Sequence, residues 1–118
     1  MPTVHELLDA NLHDVFGNRD AASRAAAAER TYAEDVVFTD PESSSTGRDA
    51  LVEKAAALLE RAPESFVFAE DGPHYASTDT GALPWAFGPA GAPEVRGIDV
   101  ITVADGRVTR VQTFFLSA

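Results

Sequence analysis

The stretch "RGIDVITVADGRV" (96–108) decides the fold. Strand side chains alternate between two faces. Gly97, Asp99, Ile101 and Val103 therefore share one face, and Ile98, Val100 and Thr102 share the other. "ADGR" (104–107) is a turn signal, and "VTRVQTFFL" after it has the pattern of a second strand. The pair reads as a β-hairpin near the end of the chain. One carboxylate, Asp99, stands in an otherwise apolar row. A charge on the core face of a strand needs either a partner or a cavity.

Working back from the hairpin, Leu83, Trp85 and Phe87 alternate with Ala82, Pro84 and Ala86. Pro84 demotes that strand locally to an edge or a bulge, because proline has no amide proton to donate. Phe66 and Phe68 alternate with Val67 and Ala69, and "DGP" (71–73) can bend this strand. "GPAGAP" (88–93) is a hairpin loop. Before residue 63 the period is helical. Thr3 and Glu6 form a capping-box pattern, and Val4, Leu7, Leu8, Leu12, Val15 and Phe16 follow at helical spacing up to Gly17-Asn18. A second helix runs from near Asp20 through "AASRAAAAERTY". "VVFT" (36–39) is a strand stopped by Asp40-Pro41, and "SSSTG" is a turn or a short return strand. A third helix spans about residues 47 to 62, with Leu51, Ala55, Leu58, Leu59 and Ala62 on one face, and Pro63 ends it. The order is helix, helix, short strand, helix, then four strands. It predicts one α+β domain over 1–118, with three N-terminal helices packed on one face of a curved, mostly antiparallel sheet. Such a sheet forms an open cone with room for an apolar pocket.

Composition narrows the function classes. The chain has 118 residues and a formal net charge of −10, from 9 basic and 19 acidic residues. That charge disfavours nucleic acid and anionic membrane surfaces as partners. There is no cysteine, so disulfides and thiolate sites are excluded. The N-terminal stretch has no apolar h-region, and the expected compartment is the cytoplasm. No phosphate loop, nucleophile elbow or dinucleotide fingerprint occurs, and no cofactor is expected.

Several motifs together resemble the nuclear transport factor 2-like superfamily, and particularly its SnoaL-like branch. They are "YAEDVVFTDP" (32–41), "GRDALVEKAAALL" (47–59), "WAFGP" (85–89) and "GIDVITVADGRVTRVQTFF" (97–115). The resemblance implies a cone closed by helices and a pocket inside it. It does not choose a chemistry, because the superfamily holds isomerases, cyclases, hydrolases, dehydratases and binding modules. Ketosteroid isomerases of this superfamily place a general base, an Asp before Pro, where Asp40-Pro41 stands. They place a protonated Asp where "GIDV" puts Asp99. Their helix-1 tyrosine has no counterpart here, which argues against ketosteroid isomerisation itself. SnoaL-like proteins often carry a histidine in the neighbourhood of His74.

The expected catalytic groups are therefore Asp40 as base, Asp99 as neutral acid or orienting group, and His74 as a second acid–base group. Each also has a structural reading. Asp40 suits a turn. Asp99 could accept from backbone amides or from Arg48, Arg96 or Arg107. His74 could be an exposed loop residue. Phe16, Tyr32, Phe38, Trp85 and Phe115 are candidate ligand-binding residues or plain core. His5, Asp9 and His13 recur every four residues on helix 1 but lie off its apolar face. They are read as a solvated face, and no metal site is assigned. The expected ligand is a small apolar molecule. The alternative is a non-catalytic binding or dimerisation module, since Val100 and Phe114 face outward and a homodimer through that sheet face is expected.

Overall fold

The computed structural model of the chain describes residues 1–116. Helix α1 (Val4–Asp9) opens with the capping box, in which the Glu6 amide donates to Thr3 Oγ1 and the Thr3 amide donates to Glu6 Oε1. The helix then widens into a π-helical stretch over Ala10–Phe16. The Gly17 amide closes it on the carbonyl of Leu12, five residues back, at 2.7 Å. Leu7, Leu8, Asn11, Leu12, Val15 and Phe16 are all buried, so an apolar face carries one amide side chain within it. Helix α2 (Ala21–Thr31) is capped by Asp20, whose side chain accepts from the Ser23 amide.

The sequence pattern carries α2 through Tyr32. In the structure Tyr32 instead opens strand β1 (Tyr32–Thr39), fully buried and paired with Val108. Tertiary pairing overrides the alanine-rich helical run there. The short return strand is present as β2 (Ser44–Thr46), followed by α3 (Arg48–Arg61). Five strands then follow, one more than the sequence pattern shows. They are β3 (Phe66–Glu70), a two-residue β4 (Tyr75–Ala76), β5 (Thr80–Pro89), β6 (Val95–Ala104) and β7 (Arg107–Phe115).

The sheet order is β2-β1-β7-β6-β5-β3, with β4 also on β5. Only the β1–β7 pair is parallel. The β6–β7 turn places Asp105 at φ 52° and Gly106 at φ 76°, the two positive values of a type I′ hairpin. Pro84 lies inside the sheet, yet its strand is locally unpaired on one side. β3 pairs with residues 85–89 of β5 and β4 with residues 81–82. Pro84 faces the bend between them, where its carbonyl accepts from the Asp71 amide. The missing amide proton therefore costs no ladder bond.

α1 packs on β5, α3 on β1 and α2 on β7. The core they enclose includes Leu8, Leu12, Val15, Val36, Leu51, Leu83, Ile101, Val108 and Val111. Among the described residues no helix is long and apolar enough to cross a membrane.

Candidate functional site

A cavity of about 530 Å³ lies within the cone. Its walls are aromatic, with Phe16, Phe38, Phe68, Trp85, Phe87 and Phe115 among them. Phe68 stacks on Phe87 at 4.2 Å between ring centroids and meets Trp85 edge-on at 5.6 Å. Gly97, cross-strand from Trp85, makes room for the indole. A β-carbon there would stand 2.5 Å from Trp85 Cζ2 and would collide with the Phe114 carbonyl oxygen. Polar groups enter the cavity at two places. Asp99 and Thr113 are buried in its wall, while Asp40, Ser43, Lys54 and Arg61 lie toward its open side.

Asp99 is held by side chains from three directions. Cross-strand register puts Thr113 of β7 directly opposite it, and Thr113 Oγ1 donates to Asp99 Oδ1 at 2.7 Å. Trp85 Nε1 of β5 donates to the same oxygen at 3.0 Å. Asn11, from the π-helical stretch, donates its Nδ2 proton to Oδ2 at 2.9 Å. The amide of Asn11 is itself oriented, since its Oδ1 accepts from the Tyr32 hydroxyl at 2.6 Å. Oδ1 thus has both lone pairs occupied, and Oδ2 keeps one acceptor position. Burial pushes the Asp99 carboxyl above the usual aspartate range, and the three donors only partly oppose it. The Tyr32 phenol is likewise pushed well up, by burial first and by the charge of Asp99 second. The charge of Asp40 is not among the causes of this shift.

Asp40 has the opposite environment. Its Oδ1 accepts from the amides of Glu42 and Ser43, at 2.8 and 2.9 Å, so the turn reading of Asp40-Pro41 holds. Its Oδ2 meets Lys54 Nζ at 2.6 Å. Partial burial alone would raise its pKa, but Lys54 and the two amides together hold the carboxyl below the usual range. Lys54 also donates to Ser43 Oγ at 2.6 Å and lies 5.2 Å from the Phe38 ring centre.

The structure thus brings Asp40, Asp99, Phe16, Phe38, Trp85 and Phe115 to one cavity. It does not bring His74 or Tyr32 there. His74 belongs to the bend before β4 and turns to the outside of α1, where its Nε2 meets Glu70 at 3.0 Å and Asp9 at 3.2 Å. Tyr32 stands behind the wall, with its hydroxyl spent on Asn11. The polar face of helix 1 is exposed at His5, Asp9 and His13, as read from the sequence, and it also makes contacts. His13 pairs with Glu70 at 2.8 Å and His5 with His74 at 3.3 Å, so this solvated face also reaches the end of β3 and the bend after it. None of the three arginines reaches Asp99. Arg48 and Arg107 donate to backbone carbonyls, and Arg96 lies 3.8 Å from Asp71.

Among the site residues absent from the sequence reading are Asn11, Lys54 and Thr113. Asn11 carried a usable signal, a polar residue in phase with Leu7 and Val15 on a buried face. Thr113 follows from the hairpin register once the turn is placed. Lys54 carried none, since lysines on helix surfaces are ordinary.

Comparison with solved structures places the fold. A candidate isomerase of the SnoaL-like family from Agrobacterium tumefaciens C58 superposes with a TM-score of 0.85 at 19% identity, over 94% of this chain and 95% of that one. A candidate ketosteroid isomerase from Kribbella flavida gives a TM-score of 0.71 at 23% identity, over 98% and 81%. A candidate polyketide cyclase from Sinorhizobium meliloti gives 0.71 at 19% identity, over 96% and 94%. No curated protein sequence matches the chain. The SnoaL-like domain model matches residues 10–111, nearly the whole cone including the Asn11–Asp99 pair, and the chain belongs to the SnoaL-like family.

Proposed function

We propose that the cavity binds a small, mostly apolar molecule and that Asp99 Oδ2 exchanges a proton with it. One observation carries this reading. A carboxyl with raised proton affinity stands in an aromatic-walled cavity with a single acceptor position free. A group of that kind can take a proton from carbon or oxygen of a bound ligand and return it at another atom. Isomerisation, cyclisation and dehydration all need such a step. The kinds of protein named among the structural neighbours support this class. Asp40 has a different part. Its proton affinity is held down and its charge is matched by Lys54, so it fixes the polar side of the cavity, where Lys54 and Arg61 stand to meet a polar end of the ligand. A cysteine-free, acidic chain of this kind suits the cytoplasm.

The test uses the single tryptophan, which lines the cavity. Titration with small aromatic ketones should change Trp85 fluorescence saturably. With a bound ketone as carbon acid, the wild type should accelerate hydrogen–deuterium exchange next to the carbonyl, followed by NMR. Asp99→Asn should keep binding and reduce exchange to background, while Asp40→Asn keeps most of it. Equal exchange in wild type and Asp99→Asn would remove the proton-transfer role. Absence of any saturable fluorescence change would remove the apolar ligand as well.

A second reading rests on the outer sheet face. Phe114 is half-exposed there, next to Ile98 on the paired strand. It supports pairing with a second copy, and sedimentation across a concentration series tests it.

A further inference from the structure

All three histidines of the chain gather outside the cavity, where α1 lies over the bend between β3 and β4. Asp9 and His5 come from α1, His13 from the π-helical stretch, Glu70 from the end of β3, and His74 from the bend. Asp9, Glu70 and His74 each present one ligand atom, all within 4.8 Å of one another. We propose that Asp9, Glu70 and His74 form a binding site for a divalent transition-metal ion of the zinc class.

The distances suit such an ion. His74 Nε2 stands 3.2 Å from Asp9 Oδ1 and 3.0 Å from Glu70 Oε1. Around a tetrahedral ion with bonds of about 2.0–2.1 Å, neighbouring ligand atoms are about 3.3 Å apart. Two of the three edges thus already have nearly that length, and the third is no more than 4.8 Å. The other atoms of two ligands are already held. Glu70 Oε2 meets His13 Nε2 at 2.8 Å. His74 Nδ1 meets His5 Nδ1 at 3.3 Å, a contact in which one ring donates and the other accepts. When His74 is the donor, its Nε2 presents a lone pair toward the two carboxylates, as a metal ligand must. Outer partners of this kind orient a ligating imidazole and a ligating carboxylate.

The surroundings favour a cation. Among the described residues no lysine or arginine pairs with Asp9 or Glu70, whose ionic partners are histidines alone. Nearby Asp71 has Arg96 at 3.8 Å. In the absence of metal, one proton on His74 Nε2 stands between two carboxylates, and a divalent ion at the same point satisfies both. The imidazole selects zinc-class ions over calcium and magnesium, which prefer oxygen alone. Bound there, the ion would tie α1 to the sheet from outside, independently of what the cavity does.

The experiment is calorimetric titration of the tag-free protein with zinc chloride, with cobalt(II) absorption as a second readout of coordination. The wild type should take up one ion per chain and unfold at a higher temperature when loaded. Asp9→Asn, Glu70→Gln and His74→Gln should each weaken uptake at least about tenfold, and His13→Ala by about tenfold or less. Asp9 is half-exposed, so its variant retains the fold. Calcium in place of zinc should show no saturable uptake. The proposal is overturned if the wild type shows no saturable zinc uptake. It is equally overturned if uptake is undiminished in Asp9→Asn, Glu70→Gln and His74→Gln, or is lost only on removing His5 and His13.

Discussion

Asp99 and Asp40 share a cavity and differ in almost everything else. Asp99 is 6% exposed and is touched only by uncharged donors. Asp40 meets an ammonium group and two backbone amides near the surface. The first carboxyl is pushed up by burial, and the second is held down by its partners. Two residues of one type thus acquire opposite proton affinities from packing alone. A neutral donor orients a carboxylate without replacing the solvation that burial removes. A lysine supplies the countercharge as well. The cavity therefore has one end suited to proton exchange and one end suited to fixed charge.

Several substitutions can break or sharpen that contrast. The largest effect is expected from Gly97→Ala, since a methyl there meets the indole and a backbone carbonyl. A loss of about 3 kcal/mol in urea unfolding is expected, and a loss under about 0.5 kcal/mol would mean that Trp85 is not clamped against β6. Asn11→Leu comes next, at about 2 kcal/mol. It strips Asp99 of one donor and the buried Tyr32 hydroxyl of its acceptor. It should also move the Asp99 carboxyl titration further upward by NMR, and a downward move would contradict the cage. Lys54→Met should cost about 1 kcal/mol and let the Asp40 titration rise. An unchanged Asp40 titration would leave the turn amides as the sole cause.

The smallest change is expected from Asp99→Asn at low pH, where the folded carboxyl is protonated and neutral like the amide, and its pH dependence is diagnostic. The folded Asp99 binds a proton more tightly than the unfolded one. Between the unfolded value, about 3.9, and the raised folded value, the native state holds more protons. Wild-type stability therefore falls as pH rises through that window, and Asp99→Asn lacks this fall. Urea midpoints of the two proteins should diverge with rising pH, in favour of the variant, and parallel curves would refute the raised affinity. Asp40 has the reverse sign. Its contribution is present above about 3.9 and is lost as pH falls through its lowered folded value.

What the sequence made legible follows from periodicity. Asp99 and Ile101 fall on the buried face as the alternation requires. Leu51, Ala55 and Leu59 of α3 do the same at helical spacing. Phe66 and Phe68 turn inward while Val67 and Ala69 are exposed. Phase is a local property, and one strand or helix suffices to read it. The pairing of Asp99 with Asn11 was not legible, because Asn11 is 88 residues away in the chain and reaches it only through the docking of helix on sheet. His74 shows the same limit from the other side. The bend at residues 71–74 breaks the alternation, so no phase carries across it, and the ring ended against Asp9 and Glu70. Tyr32 was misjudged because the end of α2 and the start of β1 leave no residue between them.

The π-helical stretch has a consequence for how this family member can vary. Such a stretch holds one residue more per turn than an α-helix, and deleting one residue within it restores regular geometry. The wide turn absorbs the extra residue, so such a deletion leaves the residues upstream and downstream in their present phase, whereas a deletion in a regular α-helix would turn one side by about 100° relative to the other. His5 and Asp9 lie upstream, on the outer cluster, while Leu12 and Phe16 line the cavity. The stretch thus holds one spare residue. A single deletion there would keep the outer cluster and the cavity wall in register, so this helix can shorten by one residue without losing either surface.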